Sequence, residues 1–453
     1  MNRFSDTSFP SDFVWGAATA AFQIEGATTL DGRGESIWDR FAAGPGNVLN
    51  GDTGDPACDH YHRWADDLDL IQSLGLRGYR FSIAWPRVQP AGRGAANQKG
   101  LDFYRRLVEG MHERGIRPYA TLYHWDLPQA LQDGGGWVER DTVERFCEYA
   151  QLVFDALGDQ VEDWITHNEP WVAAFLGYGM GVKAPGIRDW RSAVRACHHI
   201  LLSHGRSVEA FRAQGRTGRI GITLDLTPCY GEPAAAARMD GYRNRWFLDP
   251  VLRGAYPQDM VELYEPMAGP LDCVEDGDLA SISTPNDFLG VNFYHPTRVS
   301  DGADDPVVLR TQQHPQEPVT GMGWEVQPQA LVDLLTRLKD EYPNLPPIFI
   351  TENGAAYDDH VNGAEVVEDP ERTAYVRGHL DALGQAIDAG VDVRGYFVWS
   401  LLDNFEWELG YGKRFGIVYV DYETQQRIPK RSALWYRDFV AGLSGVASGE
   451  PQD

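Results

Sequence analysis

The stretch TVERFCEYAQLVFDALGDQVEDWITHNEP, residues 142–170, contains the repeating unit of the fold. Across Thr142–Leu157 the residues Val143, Phe146, Ala150, Val153 and Leu157 recur every three or four positions, the period of a helix with one face on a core. Gly158 stops the pattern, and the β-rich run VEDWITHNEP follows and closes on Asn168 and Glu169. A charged Glu that ends a buried strand is costly unless it has partners or a task.

The same order of events recurs along the chain. His62–Leu74 puts Trp64, Leu68, Ile71 and Leu74 on one helical face, Gly75 is placed as a C-cap, and GYRFSIAW follows. Leu101–Arg114 stops at Gly115 and leads into RPYATLYHW. Later runs are RIGITLDL, DFLGVNFY, PPIFITENG and VRGYFVWSLLD, and FVWGAATA near the start completes eight. Short buried strands alternating with helices imply a parallel sheet with right-handed crossovers. A doubly wound sheet alternates in the same way. Here no GxGxxG follows the first strand, and polar residues stand at nearly every strand's carboxyl end, so the pattern predicts a closed (β/α)8 TIM barrel. Without a Pro-rich or Ser/Gly tract, residues 1–453 read as a single domain, with a tail after about residue 442 held loosely.

Composition narrows the function. The formal net charge of −26, spread through the chain, disfavours nucleic acid or an anionic membrane as a partner. Cys58, Cys147, Cys197, Cys229 and Cys273 are odd in number and form no CxxC, which fits reduced thiols rather than a disulfide framework. The N-terminus MNRFSDTSFPSDF has no apolar core of a signal peptide, and no window approaches eighteen apolar residues, so a cytoplasmic location off the membrane is expected.

In a barrel the carboxyl ends of the strands converge on one mouth. In chain order they supply Gln23 just after the first strand, Arg80, His124, Asn168 with Glu169, Asn292 with Tyr294, Glu352, and Trp399. Glu169 and Glu352 come from the fourth and seventh strands and should face each other. Two facing carboxyl groups among amides, a His, an Arg and aromatic rings point to glycoside hydrolysis, which needs one acid to protonate the leaving oxygen and one carboxylate to attack or to activate water. No metal and no cofactor is expected. Asp59, His60 and His62 match no zinc spacing, and His198, His199 and His204 fall on a helix, so hydrogen bonding is the better assignment for both groups. GRGES and GPGNVLNG lack Walker spacing, and there is no GxSxG.

These motifs resemble glycoside hydrolase family 1 β-glucosidases over nearly the whole chain. The resemblance runs from FPSDFVWGAATAAFQIEGA through DHYHRWADDLDLIQSLGLRGYRFSIAWPR, TLYHWDLPQALQDGGGW, THNEPW, GVNFY and ITENGAAY to GYFVWSLLDNFEWELGYGKRFGIVYVD. It implies that Glu169 is the general acid/base and Glu352 the nucleophile of a double displacement that retains the β-configuration. By the same resemblance Gln23, His124, Asn168, Glu406 and Trp407 bind the sugar at the cleavage point, and Trp399 forms the floor beneath it. Arg80, Asn292 and Tyr294 surround the nucleophile, and Trp171 and Trp324 wall the leaving-group site. His167, where many members carry an apolar residue or Phe, is expected to point into the barrel wall. Arg80 should lower the pKa of Glu352, and the Glu352 charge should raise that of Glu169. The retaining geometry sets the two carboxyl groups about 5–5.5 Å apart.

The resemblance also narrows the substrate to small β-glucosides and short oligosaccharides. The family branch that acts on 6-phosphorylated sugars has Ser in place of Glu406, and a Lys and a Tyr further along. Here Lys413 is present but Phe415 replaces the Tyr, so an unphosphorylated glycon is expected, glucose first, with galactose and fucose tolerated. Transglycosylation to an acceptor sugar is the second enzymatic reading. A sugar-binding barrel without catalysis is disfavoured because both glutamates are present, and Glu169 also argues against the thioglucosidase branch, which has Gln there.

Overall fold

The computed structural model of the protein describes residues 9–302, 311–361, 363 and 365–447. Eight parallel strands close on themselves: β1 (Val14–Ala18), β2 (Gly78–Ser82), β3 (Arg117–Tyr123), β4 (Asp163–Asn168), β5 (Arg219–Asp225), β6 (Phe288–Asn292), β7 (Ile348–Asn353) and β8 (Val393–Trp399). Closure is made by β1, whose Ala17 pairs with Tyr79 of β2 on one side and Val398 of β8 on the other. This is the expected closed barrel, and the doubly wound alternative is excluded. The strands are followed in turn by α1 (His60–Ser73), α2 (Gln98–Glu113), α3 (Asp141–Leu157), α4 (Trp190–Ala213), α5 (Gln258–Ala268), α6 (Gln329–Glu341), α7 (Pro370–Asp388) and α8 (Arg431–Ala447). Helix α5 is the longest of several short helices between β5 and β6.

The helix stops work in two ways. Gly75 and Gly115 sit just past α1 and α2 at φ +68° and +67°, the left-handed conformation that closes a helix at least cost for Gly. Gly158 has φ −70° and is needed for space, because a Cβ there would lie 2.4 Å from the Phe154 carbonyl oxygen. Helix α1 opens two residues before the apolar periodicity, at His60, whose ring is buried and donates from Nδ1 to Asp67 at 2.7 Å. Helix α8 continues through Gly442 to Ala447, with Val440 and Leu443 against the core.

Packing divides into two layers. The larger lies between strands and helices. The smaller fills the barrel itself, with Tyr119, Ile165, Phe288, Phe349 and Phe397 from β3, β4, β6, β7 and β8. Small residues admit these rings: a Cβ on Gly16 would come within 2.6 Å of the Phe397 ring. The interior is therefore a solid floor under the mouth.

Two strands depart from simple alternation. In β4 Ile165 points inward and Thr166 outward to His204 of α4, but His167 also points outward, stacking on Phe146 and bonding Ser203 at 2.8 Å. A register irregularity between Ile165 and Asn168 restores Asn168 to the mouth. In β7 the pairing with β6 slips between Ile350 and Glu352, so that the neighbouring side chains both turn inward, Thr351 to Asn292 and Glu352 to Arg80. Bulges of this kind re-aim side chains. His167 lies in the barrel wall, as expected.

A buried charge network ties the ends of β7 and β8 to α7 and α8. Arg372 pairs with Asp359 at 2.8 Å and Asp369 at 2.6 Å, and Lys430 bridges Asp359 at 2.6 Å and Asp403 at 2.7 Å. Asp403 sits at the base of the loop that carries Glu406 and Trp407. Breaking one member of such a network leaves uncompensated buried charge. Replacing Lys430 by Met is expected to lower the unfolding free energy by about 3–5 kcal/mol, read from urea unfolding curves. Arg40→Ala, which breaks an exposed pair with Glu35, should leave it nearly unchanged.

Candidate active site

The carboxyl ends of the strands surround a cavity of about 350 Å³ above the aromatic floor. It is lined by His124, Glu169, Trp171, Asn292, Tyr294, Trp324, Glu352, Trp399, Glu406 and Trp407, all singled out from the sequence. Gln23, Arg80 and Asn168 lie just behind this lining and hold it in place. All thirteen predicted site residues are therefore brought together.

Glu352 is 3% exposed and Arg80 fully buried. The Arg80 Nη1 group donates to Glu352 Oε1, and Tyr294 Oη donates to Glu352 Oε2 at 2.5 Å, so each carboxylate oxygen has a donor. The second Arg80 arm donates to Asn168 Oδ1 at 2.6 Å. Asn292 Nδ2 donates to the same Asn168 oxygen at 3.0 Å and to Glu169 Oε1 at 2.6 Å. Asn292 is oriented in turn by Thr351, whose hydroxyl donates to its Oδ1 at 2.7 Å. One polar network thus runs from the first carboxyl group to the second.

The two glutamates sit in different fields. Burial raises the Glu169 carboxyl well above its ordinary pKa, and the nearby charges of Asp225 and Glu352 raise it further. Burial also raises Glu352, against the downward pull of Arg80 and of hydrogen bonds from Tyr294 and Asn292. Both expected directions hold, Arg80 lowering the pKa of Glu352 and the Glu352 charge raising that of Glu169. The cost of dehydrating a carboxylate at the bottom of the mouth is larger than the pull of Arg80. The order of the two groups survives, with Glu169 holding its proton more strongly.

The remaining residues define a sugar-sized surface. The His124 ring stacks between Trp399 and Trp407, centroids 5.8 and 6.0 Å away, and accepts from Asn168 Nδ2 at 3.1 Å. Burial keeps His124 neutral. Gln23 donates to Asn404 Oδ1 and the Phe405 carbonyl, while its own Oε1 has no protein partner. The Glu406 carboxyl faces the cavity, and burial pushes its pKa up to about 8 despite the Lys183 ammonium nearby. Trp324 packs against Tyr294 and Phe415, and Trp171 lies two residues past Glu169. Glu169, Trp125 and Trp407 have φ of +48°, +76° and +49°. Non-glycine residues held there store roughly 1–3 kcal/mol each, and such strain concentrates at functional sites.

Asp225, Arg243, Lys183, Trp125 and His295 also line the cavity and were not singled out from the sequence. Asp225 ends β5 and carried the same strand-end signal as its neighbours. Arg243 comes from a helical turn with no such mark. The weaker candidates are structural: His198 pairs with Asp278, His199 bonds the Trp137 carbonyl, His204 bonds Thr166, and His62 is exposed beside Asp59. All five cysteines are free.

A barrel with paired carboxyl groups, hydroxyl-binding amides and an aromatic floor at its mouth defines a glycoside hydrolase. A family model for glycosyl hydrolase family 1 matches residues 5–443. Thermostable beta-glucosidase B of Thermobispora bispora is 51% identical over 98% of this chain and 93% of that protein. The bifunctional beta-D-glucosidase/beta-D-fucosidase of Bifidobacterium breve is 48% identical over 96% and 99%. The structure of a Thermotoga maritima beta-glucosidase in complex with deoxynojirimycin superposes with a TM-score of 0.92 at 46% identity, covering 96% of this chain and 99% of that one. The chain belongs to glycosyl hydrolase family 1.

Tyr294→Phe removes one of the groups that favour the charged form of Glu352. The acid limb of kcat/KM should move to higher pH, and kcat should fall about tenfold or more as the carboxylate loses a charge-assisted hydrogen bond. A pH–rate series on the variant measures both.

Proposed function

We propose that this protein is a retaining β-glucosidase that releases terminal non-reducing β-D-glucosyl residues from small β-glucosides and short oligosaccharides. Glu352 attacks the anomeric carbon while Glu169 protonates the departing oxygen. Water, deprotonated by Glu169, then opens the glycosyl ester, and two inversions restore the β-configuration. The asymmetry of the two carboxyl groups carries this assignment. Glu352 has an Arg and a Tyr on its two oxygens, an environment for an anion that must be held in line. Glu169 accepts one hydrogen bond and lies between two negative charges, an environment that keeps a proton. Forming the ester cancels the Glu352 charge, which lowers the Glu169 pKa and turns the acid into a base. A separation of about 5–5.5 Å between the groups belongs to this mechanism.

In this reading Gln23, His124, Asn168, Glu406 and Trp407 hold the glycon hydroxyls and Trp399 supports its ring. Trp171 and Trp324 contact the leaving group. The Glu406 carboxyl can bond two sugar hydroxyls, and where it is ionised it would repel a phosphate dianion, which favours a neutral sugar. Activity on fucosides is in keeping with the relative named for both activities. No described helix is long and apolar enough to cross a membrane, and action on cytoplasmic sugars is part of the proposal.

Glu352→Gly should lower turnover by about 10⁴-fold or more. Added azide should then attack directly and give the α-glucosyl azide. Glu169→Gly should still accept an activated aryl glucoside, and azide should then open its ester to the β-product. NMR of the azides fixes both roles, and exchanged anomers would reverse them. Faster turnover of a 6-phospho-glucoside than of the plain glucoside would overturn the glycon assignment.

A further inference from the structure

Asp225 is the last residue of β5, directly opposite Asn292 of β6, whose amide donates to Glu169. Two residues earlier on the same face of β5, the Thr223 carbonyl accepts the Glu169 backbone N–H at 3.0 Å. The two acids are thus held side by side by the strand register. Asp225 is buried, and its Oδ2 accepts from Arg243 Nη2 at 2.6 Å. Arg243 is fixed in its turn. Its guanidinium lies 3.8 Å from the centre of the Trp171 ring, and its helical turn (Gly241–Arg245) is tied to the end of β5 by Asn244, which bonds both the N–H and the carbonyl of Thr227.

We propose that Asp225, clamped by Arg243, is a positioning residue for the proton of Glu169, a fixed negative charge that keeps the acid protonated before cleavage and keeps it basic afterwards. This rests on the reading of Glu169 as acid/base. The other charged and titratable groups around Glu169 cannot replace it. Arg80 of β2 is positive and committed to Glu352 and Asn168. His124, just past β3, and His295, beyond β6, are kept neutral by burial, the latter with its pKa pushed down to about 4. The Tyr294 phenol is held protonated. Glu406, beyond β8, stays largely neutral below about pH 8. Glu352 remains as a negative charge, and so does Asp225 above about pH 6, the value to which burial raises its pKa against the pull of Arg243; only Asp225 persists through the cycle. When Glu352 becomes an ester its charge vanishes, and a Glu169 left alone would become a weaker base just as it must deprotonate water. Asp225 sets a lower bound to that fall.

The test is Asp225→Asn, which keeps the shape and the Arg243 contact and removes the charge. With cellobiose, whose leaving oxygen needs a proton, the basic limb of kcat/KM should move to lower pH, with activity on the alkaline side down roughly five- to tenfold and the acid side nearly unchanged. With 2,4-dinitrophenyl β-glucoside, whose leaving group needs no proton, alkaline kcat/KM should stay near wild type, while the acid limb of kcat, set by ester hydrolysis, should move down. Asp225→Glu should restore both limbs. An equal fall at every pH with both substrates, or limbs that do not move, overturns the proposal. Glu169→Gln is measured in parallel. If it turns over cellobiose with a wild-type pH profile, the acid/base reading itself fails, whatever Asp225 does. If it loses cellobiose turnover while Asp225→Asn leaves the limbs in place, only the role of Asp225 fails.

Discussion

The ion pair between Arg80 and Glu352 is the constraint on which the rest of the mouth depends. Both partners are out of water, and two charges so placed need hydrogen bonds for their other donors and acceptors, which all but Arg80 Nε find. Glu352 uses Tyr294 for its second oxygen, and Arg80 uses Asn168 for its second arm. Asn168 then shares its oxygen with Asn292, and Asn292 reaches Glu169. The position of the proton-holding carboxyl group is thereby linked, through Asn292, Asn168 and Arg80 from three strands, to the position of the one that attacks from a fourth. A barrel can present four strand ends to one point, which an open sheet cannot do as compactly.

The barrel was legible because its rhythm is coarse. A helical period, a glycine and a short buried run, repeated around the chain, survive errors of two residues at any helix end. The mouth was legible for a related reason: in a closed barrel, standing at the carboxyl end of a strand is itself a three-dimensional coordinate. Alternation was not enough within the strands. His167 and Asn168 are neighbours, and a strict period of two would have sent Asn168 outward with Thr166. The bulge in β4 that corrects this leaves no mark in WITHNE, because it arises from how β4 pairs with β5. The same holds for Glu352 in β7.

The electrostatics were legible in sign more than in outcome. The pull of Arg80 on Glu352 and the push of Glu352 on Glu169 followed from opposite and like charges in one mouth. The dominant influence, loss of water, depends on depth and could not be read from residue order. Arg243 lies on a turn between β5 and β6 and reaches the mouth only because Asn244 anchors that turn on Thr227. Lys183 is similar: it pairs with Glu408 across 225 positions of sequence and stands near Glu406 by tertiary packing alone.

The aromatic plug inside the barrel has a consequence for the order of events. Tyr119, Ile165, Phe288, Phe349 and Phe397 seal the far end, so among the described residues the chamber opens at the mouth and not through the barrel. Whatever enters must leave by the way it came. The first product has to clear the opening before the second reactant can approach the ester from the same side, and the released sugar departs against incoming substrate. The traffic is single-file by construction, and a lingering first product is the natural competitor of water.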